Sequence, residues 1–237
     1  VDEEKAVGEI LGFIETDYSA ENTKIEIPTM ISEPKGSPEE LAKVKDLLGS
    51  FKTSFKTSDA DRSKNVRTGT GHIDGTVLYP GETFSAYEWV NPFTEENGYA
   101  MAGSYLNGKV VDSLGGGICQ VSSTLYNAVL MAELEIVERS PHSMMVTYVQ
   151  ASADAAIAGT YKDFKFKNDT DAPIYIEGYT TDDKQVVFNI YGEETRPSNR
   201  TIKYVNKVLE STPAVTQLVA DPAQGIGYRI VESGHNV

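Results

Sequence analysis

The feature that most constrains the fold of this 237-residue chain is a long helical segment that follows three consecutive glycines at 115–117. Neither Gly nor Pro interrupts residues 118–134. Apolar side chains recur there at the spacing of one helix face, at Ile118, Val121, Leu125, Ala128, Val129 and Ala132. The pattern predicts a helix over 118–134 that packs one apolar stripe against a core.

Four segments after this helix have the composition of strands. They are rich in Val, Ile, Tyr and Phe, are separated by turn residues, and lie at 143–149, 161–167, 173–179 and 184–191. A helix that feeds an antiparallel sheet is an α+β plan. We therefore expect an α+β fold in which the helix bearing the cysteine packs on an antiparallel β-sheet.

The flanking regions contain weaker patterns. Helical spacing and helix-start residues predict helices over 4–16, 38–48 and 60–73. Alternating runs predict strands over 24–27 and 49–55, and a strand with a turn within 75–92. Residues 201–237 follow a boundary at 197–199 and contain strand-like runs, which predicts a small β-rich C-terminal extension.

Composition excludes several classes of function. Hydrophobic residues make up 40% of the chain, with 13 Tyr, 8 Phe and 1 Trp, which is enough to build a core. The net charge of −14 argues against binding to nucleic acid or to anionic lipid, because both require a basic surface. A single cysteine excludes an intramolecular disulfide and a Cys-rich zinc site. The histidine spacing and the absence of a phosphate loop predict no metal and no cofactor.

Neither end of the sequence carries a targeting signal. The chain begins with an acidic stretch and contains no run of about 18 apolar residues that could span a membrane. Either the protein is cytosolic, or a leader or a membrane anchor lies outside this sequence, and the sequence favours the second alternative. We expect that the chain itself makes no membrane contact.

The cysteine, Cys119, lies in the first turn of the predicted helix. Its helix face, opposite the apolar stripe, also carries the hydroxyl groups of Ser122, Ser123 and Tyr126. Free amide groups and the positive end of the helix dipole favour a thiolate at this position. Gly116 and Gly117 leave room for a substrate to approach the backbone. The alternative is that Cys119 is a small buried core residue, as free cysteines often are.

A nucleophilic thiol needs a base, and His142 is the best candidate. It lies at the start of the first strand predicted after the cysteine helix, an order also found in papain-like thiol enzymes. His72 lies in a polar helical segment, which is typical of a solvated surface histidine. His235 lies in the C-terminal tail and is discounted.

A third group would orient the imidazole ring. Asp163, in the next predicted strand, and Asp154, in the loop before it, are the candidates, although most aspartates are simply solvated turn residues. Arg139 is close in sequence to His142, and could bind a substrate carboxylate with two hydrogen bonds or merely serve a surface ion pair.

Five segments resemble the VanW domain family. They lie at 47–55, 73–85, 95–99, 115–143 and 163–168, and the block GGGICQVSSTLYNAVLMAELEIVERSPHS at 115–143 is the most specific. The resemblance covers roughly 47–192, whereas residues 150–154 depart from the Pro- and Gly-containing loop usual in the family. Residues 1–46 resemble the end of the peptidoglycan-binding domain that often precedes VanW. Residues 193–237 resemble a β-rich linker or the start of a G5-like domain.

The resemblance implies a role in the cell wall. The family takes its name from a vancomycin-resistance gene cluster, and its members are exported or surface proteins, chiefly of Gram-positive bacteria. Members have been associated with L,D-transpeptidase activity, which forms 3–3 peptidoglycan cross-links through a cysteine. We accordingly expect an extracellular, cell-surface or wall-associated protein whose partners are peptidoglycan stem peptides. The full-length protein could also be anchored to the membrane.

Three hypotheses remain open at this point. In the first, Cys119 attacks a stem peptide, His142 transfers protons, and the backbone N–H groups of Cys119 and Gln120 hold the oxyanion. In the second, the acyl-enzyme is given to water, which makes the protein a thiol carboxypeptidase or endopeptidase. In the third, the chain is a wall-binding module without enzymatic activity, and Cys119 is buried.

Overall fold

The structure, a computed structural model, describes residues 3–16, 24–29, 35–106, 109–210 and 218–230. The chain divides into two units, Val1–Ser37 and Pro38–Val237. In the first unit, helix α1 spans Glu3–Thr16, which confirms the helix predicted there. The described residues 24–29 form no strand, so the strand predicted over 24–27 was wrong.

The second unit contains the remaining helices and strands. The helices are α2 (Pro38–Leu41), α3 (Ala60–Ile73), α4 (Ala86–Val90) and α5 (Ile118–Ala132). The strands are β1 (Asp46–Ser54), β2 (Thr76–Leu78), β3 (Thr83–Ser85), β4 (Met101–Leu106), β5 (Lys109–Leu114), β6 (Glu135–Glu138), β7 (Lys165–Lys167), β8 (Ile174–Thr180) and β9 (Gln185–Gly192). All the strand pairings are antiparallel, which confirms the α+β expectation.

The strands form three sheets. The largest has the order β1-β9-β8-β2, with Phe51 of β1 paired with Phe188 of β9. The second has the order β3-β7-β6, and β4 with β5 forms a separate hairpin. Helix α5 packs on β1 and β9, and α3 packs on β8 and on α5. The hydrophobic core lies between these two helices and the sheet, with Val66, Leu125 and Ile190 fully buried in it.

Helix α5 confirms the prediction made from the uninterrupted segment. It ends at Ala132, and Glu133 caps it in the left-handed conformation, with a φ of 60°. Its burial differs from a single apolar stripe, because polar residues of the opposite face are buried as well: Ser122, Ser123, Thr124 and Asn127. A second layer of chain therefore covers the face that carries the cysteine.

Several predicted elements differ from those observed. The helix predicted over 38–48 ends at Leu41, and strand β1 begins at Asp46. Residues 143–149 form no strand, and of the strand predicted over 161–167 only β7 at Lys165–Lys167 is present. The β4–β5 hairpin, strand β6 and helix α4 were not predicted.

The segment after β9 binds the C-terminal end of α5. Arg196 and Arg200 form ion pairs with Glu133, and the Tyr204 hydroxyl donates to the Leu130 carbonyl at 2.9 Å. A cavity of about 400 Å³ lies here, at the other end of α5 from Cys119. The described residues of 193–210 and 218–230 contain no strand, so the β-rich extension does not form in them. His235 lies outside the described residues.

None of the helices in the described ranges has both the length and the apolar character needed to cross a lipid bilayer.

Candidate active site

The turn before α5 places Cys119 in the first helical turn. Gly117 is the N-cap, with a φ of 103° that favours glycine. The amide of Ile118 donates to the Gly115 carbonyl at 3.1 Å, and the amide of Gln120 donates to the Gly117 carbonyl at 3.0 Å. The helix therefore starts with tight turns directly beneath the thiol.

Gly116 allows the β4–β5 hairpin to approach this turn. A β-carbon at Gly116 would lie 2.2 Å from the Ala102 carbonyl oxygen. Asn65 of α3 bridges the same contact, because its side-chain amide donates to the carbonyls of Ala100 (2.9 Å) and Gly116 (3.0 Å). The predicted space at Gly116 is thus filled by protein backbone.

The Cys119 thiol is partly buried and unpaired. It packs at the margin of the hydrophobic core and donates a weak hydrogen bond to the Ile157 carbonyl at 3.4 Å. The side chain therefore retains some solvent exposure, which a core cysteine would lack.

The imidazole of His142 lies beside this thiol. Its Nδ1 is 2.6 Å from Oδ2 of Asp154, and its backbone amide donates to the same oxygen at 2.7 Å. The side chain is only 7% exposed. The rings of Tyr105 and Tyr148 meet it edge-on, with centroid distances of 6.4 and 6.5 Å. Because Nδ1 faces Asp154, Nε2 is the nitrogen available to Cys119.

The opposite charges of His142 and Asp154 stabilise each other. Burial acts to lower the pKa of His142, but hydrogen bonds with Asp154 and Cys119 raise that pKa from 6.5 to about 9. Burial likewise acts to raise the pKa of Asp154, but hydrogen bonds from His142 and the charges of His142 and Arg139 lower it to about 2. Near neutral pH the pair is therefore an imidazolium beside a carboxylate.

Arg139 holds Asp154 in place. Its Nη2 donates to Oδ1 of Asp154 at 2.9 Å, and its Nε donates to the Asp154 carbonyl at 2.6 Å. Its guanidinium also lies over the ring of Tyr126, 5.6 Å from the centroid. Of the two roles considered for Arg139, the structure places it in an ion pair, and this pair is mostly buried.

The polar face of α5 binds the loop that carries Asp154. The Ser122 hydroxyl donates to the Ala155 carbonyl at 2.6 Å, and Ser123 accepts from the Ala155 amide at 2.9 Å. Asn127 donates to the Ala153 carbonyl at 2.7 Å. These side chains thus position the loop on either side of Asp154. Binding of substrate by Ser122, Ser123 and Tyr126 stays a prediction.

Two other predicted site residues have internal partners. Asp163 accepts from the Ser85 hydroxyl at 2.6 Å and from the Tyr87 amide at 2.9 Å, at the start of α4. It is therefore bound in another part of the fold, whereas Asp154 is the carboxylate at His142. The Gln120 side chain is buried and donates to Ser54 of β1, and its backbone amide is already bonded within the turn. The amide of Cys119 has no backbone acceptor among the described residues.

Three residues near the thiol were not identified from the sequence: Arg62, Tyr105 and Tyr148. Burial raises the pKa of Tyr148, and the charge of a Cys119 thiolate raises it further, whereas a hydrogen bond from Ser123 and the charge of Arg62 lower it. Tyr148 therefore lies within electrostatic reach of the reactive group. These side chains come from separate segments, so no spacing in the sequence connects them with Cys119.

The described part of the chain holds no group of three His, Cys, Asp or Glu side chains arranged to bind a metal ion.

Comparison with known proteins gives a consistent family. The sequence profile described as "VanW like protein" matches residues 61–191. The chain is 41% identical over 160 residues to "Uncharacterized protein YoaR" of Bacillus subtilis (strain 168), covering 67% of this chain and 53% of that protein. It is 28% identical over 154 residues to "Vancomycin B-type resistance protein VanW" of Enterococcus faecalis (strain ATCC 700802 / V583), covering 60% and 55%. The chain thus spans about half the length of these curated relatives. No solved structure matches it significantly.

Proposed function

We propose, from the premise that this chain belongs to the VanW-like family, that it is a cell-wall enzyme, an L,D-transpeptidase with Cys119 as its nucleophile. The observation that carries the proposal is the arrangement of Cys119, His142 and Asp154. A thiol, an imidazole and an orienting carboxylate in this order constitute an acyl-transfer group. The name of the Enterococcus faecalis relative, a vancomycin resistance protein, supports a role connected with the cell wall.

In the first step a peptidoglycan stem peptide transfers its acyl group to Cys119. The thiolate sulfur attacks the carbonyl carbon of the third stem residue, and a carbon–sulfur bond forms. The bond from that carbon to the nitrogen of the terminal D-Ala breaks, and the His142 imidazolium gives its proton to the leaving amine. The backbone amide of Cys119 binds the oxyanion in this step; its position at the positive end of α5, without a backbone acceptor among the described residues, supports this role.

In the second step an amine of another stem accepts the acyl group. Its nitrogen attacks the thioester carbon, the carbon–sulfur bond breaks, and the proton of the amine passes to His142. This restores the thiolate–imidazolium pair. Asp154 supports both steps because it fixes the ring and stabilises its protonated form.

Two observations favour an enzyme over a wall-binding module without activity. Cys119 is partly exposed, and a buried ion pair of His142 with Asp154 is expensive to maintain in a protein that does not use it. Perturbed histidines also occur in purely structural ion pairs, so alkylation of the thiol is a useful preliminary assay. We expect rapid alkylation of the native chain near neutral pH, and slower alkylation in His142→Gln.

Analysis of muropeptides by mass spectrometry tests the reaction. The full chain incubated with tetrapeptide stems should yield 3–3 cross-linked dimers, and Cys119→Ala and His142→Gln should yield none. The matched control is His72→Gln, because His72 contacts the Tyr99 hydroxyl at 3.2 Å and is not part of the triad. Equal cross-linking by Cys119→Ala would refute the thiol mechanism. Tripeptide monomers without dimers would assign the acyl-enzyme to hydrolysis, as in a carboxypeptidase.

A further inference from the structure

Arg62, near the start of α3, lies over the turn from which Cys119 emerges. A β-carbon at Gly117 would be 2.8 Å from Cγ and 3.2 Å from Nε of Arg62. The guanidinium donates to the Ser58 hydroxyl at 2.5 Å and to Oε1 of Gln120 at 2.9 Å. It is therefore fixed between the start of α3 and the first turn of α5, over Gly117, which precedes Cys119 by two residues.

This guanidinium has no carboxylate partner among the described residues. Asp59 bonds only to the backbone amide of Arg62, as the N-cap of α3. Three other arginines pair with acidic groups: Arg139 with Asp154, Arg196 with Glu194 and Arg200 with Glu133. Arg62 differs from them because its side chain has only neutral acceptors and lies next to the turn that carries Cys119.

The free groups of Arg62 suit a carboxylate ligand. Its two side-chain hydrogen bonds leave three of its five N–H groups without a partner in the described part of the protein. The planar arrangement of these groups matches a carboxylate. Both of its present acceptors are neutral, so they orient the guanidinium without neutralising it.

The charge of Arg62 acts on Tyr148, which is also a neighbour of His142. Tyr148 contacts the His142 ring, and its phenol interacts with the charges of both Cys119 and Arg62. The three groups are therefore close enough near the start of α5 for their charges to interact. A peptide whose scissile carbonyl lies at Cys119 would have its next residue close to these groups, since neighbouring residues are about 3.8 Å apart.

We propose that Arg62 binds the terminal carboxylate of the residue that leaves, so that the site accepts peptides ending one residue beyond the scissile bond. This inference rests on the proposed function and deepens it. It makes the enzyme act at the C-terminal end of stem peptides, and it excludes cleavage in the middle of a longer chain. Arg62 would be a specificity-determining residue, while Cys119, His142 and Asp154 perform the acyl transfer.

Binding to an inactive full chain tests this proposal. Cys119→Ala is titrated by calorimetry with a stem tetrapeptide that ends in D-Ala, and with the same peptide carrying a C-terminal amide. We expect the acid to bind about tenfold to a hundredfold more tightly than the amide, which is the usual contribution of a hydrogen-bonded ion pair. Adding Arg62→Gln should abolish this difference and leave the affinity for the amide unchanged. Arg62→Lys should restore part of it.

The matched control is Arg67→Gln on the same helix. Arg67 is exposed and lies over the Phe55 ring, 5.7 Å from the centroid, so the substitution removes the same charge outside the site. It should preserve the preference for the acid. A structural role for Arg62 would weaken acid and amide equally, and that result would overturn the inference. So would equal affinity of the Cys119→Ala chain for acid and amide, or no binding of either.

Activity separates this inference from the proposed function. If wild type cross-links stems and Arg62→Gln keeps the same ratio of rates on acid and amide, only the role of Arg62 is lost. If the acid is preferred in binding but Cys119→Ala cross-links as well as wild type, the transpeptidase proposal is lost and the carboxylate site stands.

Discussion

Replacement of Asp154 by Asn should lower the pKa of His142 sharply. Oδ2 of Asp154 accepts from both Nδ1 and the amide of His142, at 2.6 and 2.7 Å. The rise of that pKa from 6.5 to about 9 is equivalent to about 3 kcal/mol in favour of the imidazolium. It persists against the effect of burial, and the hydrogen bond to Asp154 is the largest contribution that opposes burial.

An amide at position 154 removes the negative charge but keeps the shape of the side chain. The hydrogen bond and charge of Cys119 remain, so part of the elevation should persist. We expect the pKa of His142 to fall by about two units, which leaves about three-quarters of the rings neutral at pH 7.5. Because a neutral ring cannot protonate the leaving amine, the rate of acylation at that pH should fall about fourfold.

Nuclear magnetic resonance measures this change directly. The ring proton signals of the three histidines are followed against pH in wild type and Asp154→Asn, with His142→Gln to assign the signal. The control is Asp163→Asn, because Asp163 is equally buried, at 6% exposure, and is bonded to Ser85 and Tyr87. If Asp154→Asn leaves the pKa of His142 near 9, or Asp163→Asn lowers it as much, the assignment of Asp154 as the orienting carboxylate is incorrect.

Three further outcomes are expected. The folded protein retains the His142 proton up to pH about 9, so the stabilisation from its pair with Asp154 should be complete below pH 6.5 and lost as the pH rises through about 9. Over that range, the free energy of unfolding measured in urea should fall by up to about 3 kcal/mol more in wild type than in Asp154→Asn. Parallel pH profiles of the two proteins would contradict this. Gly116→Ala should destabilise the fold by about 2 kcal/mol or more, because the added β-carbon meets the Ala102 carbonyl. Gly71→Ala, in open space on α3, should stabilise the fold by about 0.5 kcal/mol. Thermal unfolding of the two variants measures the contrast. Arg139→Gln should raise the pKa of Asp154 above about 2, because a neighbouring positive charge is removed. Titration of the carboxyl carbon signal of Asp154 measures this, and an unchanged value would show that the charge of Arg139 does not act on Asp154.

Helix α5 was predictable because one periodic pattern runs without interruption and its start is marked by glycines. The segment 143–149 contains an equally regular pattern, yet forms no strand. Its alternation predicts burial correctly, since Met144 and Val146 are buried while Ser143, Met145 and Thr147 are exposed. Alternation specifies which side chains face the core, but a strand also requires a partner for its backbone, and this segment has no ladder partner in the described structure.

The sequence contains a signal for the β4–β5 hairpin. Asn107–Gly108, between two runs that contain Tyr105 and Val110, is a typical two-residue hairpin sequence. By contrast, the choice between Asp154 and Asp163 could not have been made from spacing. Both aspartates are buried and both follow His142, and only the fold brings Asp154 against the ring while Asp163 caps the turn into α4.

The helix that carries the thiol also positions the rest of the acid–base machinery. Ser122, Ser123 and Asn127 fix the backbone on both sides of Asp154, and Asp154 fixes His142. Buried hydroxyl and amide side chains cost free energy unless they are hydrogen-bonded, and these three are bonded to the loop that carries Asp154. The same helix therefore carries Cys119 and binds the loop that carries Asp154.

The net charge of the chain affects how a substrate can be recognised. A protein with a net charge of −14 has no long-range attraction for an anionic wall polymer, so recognition of a stem peptide has to occur within the site. Arg139 cannot supply it, because its guanidinium is committed to Asp154 and to backbone carbonyls. Arg62 has only neutral acceptors, so we propose for Arg62, which lies over Gly117, the substrate-binding role that was expected of Arg139.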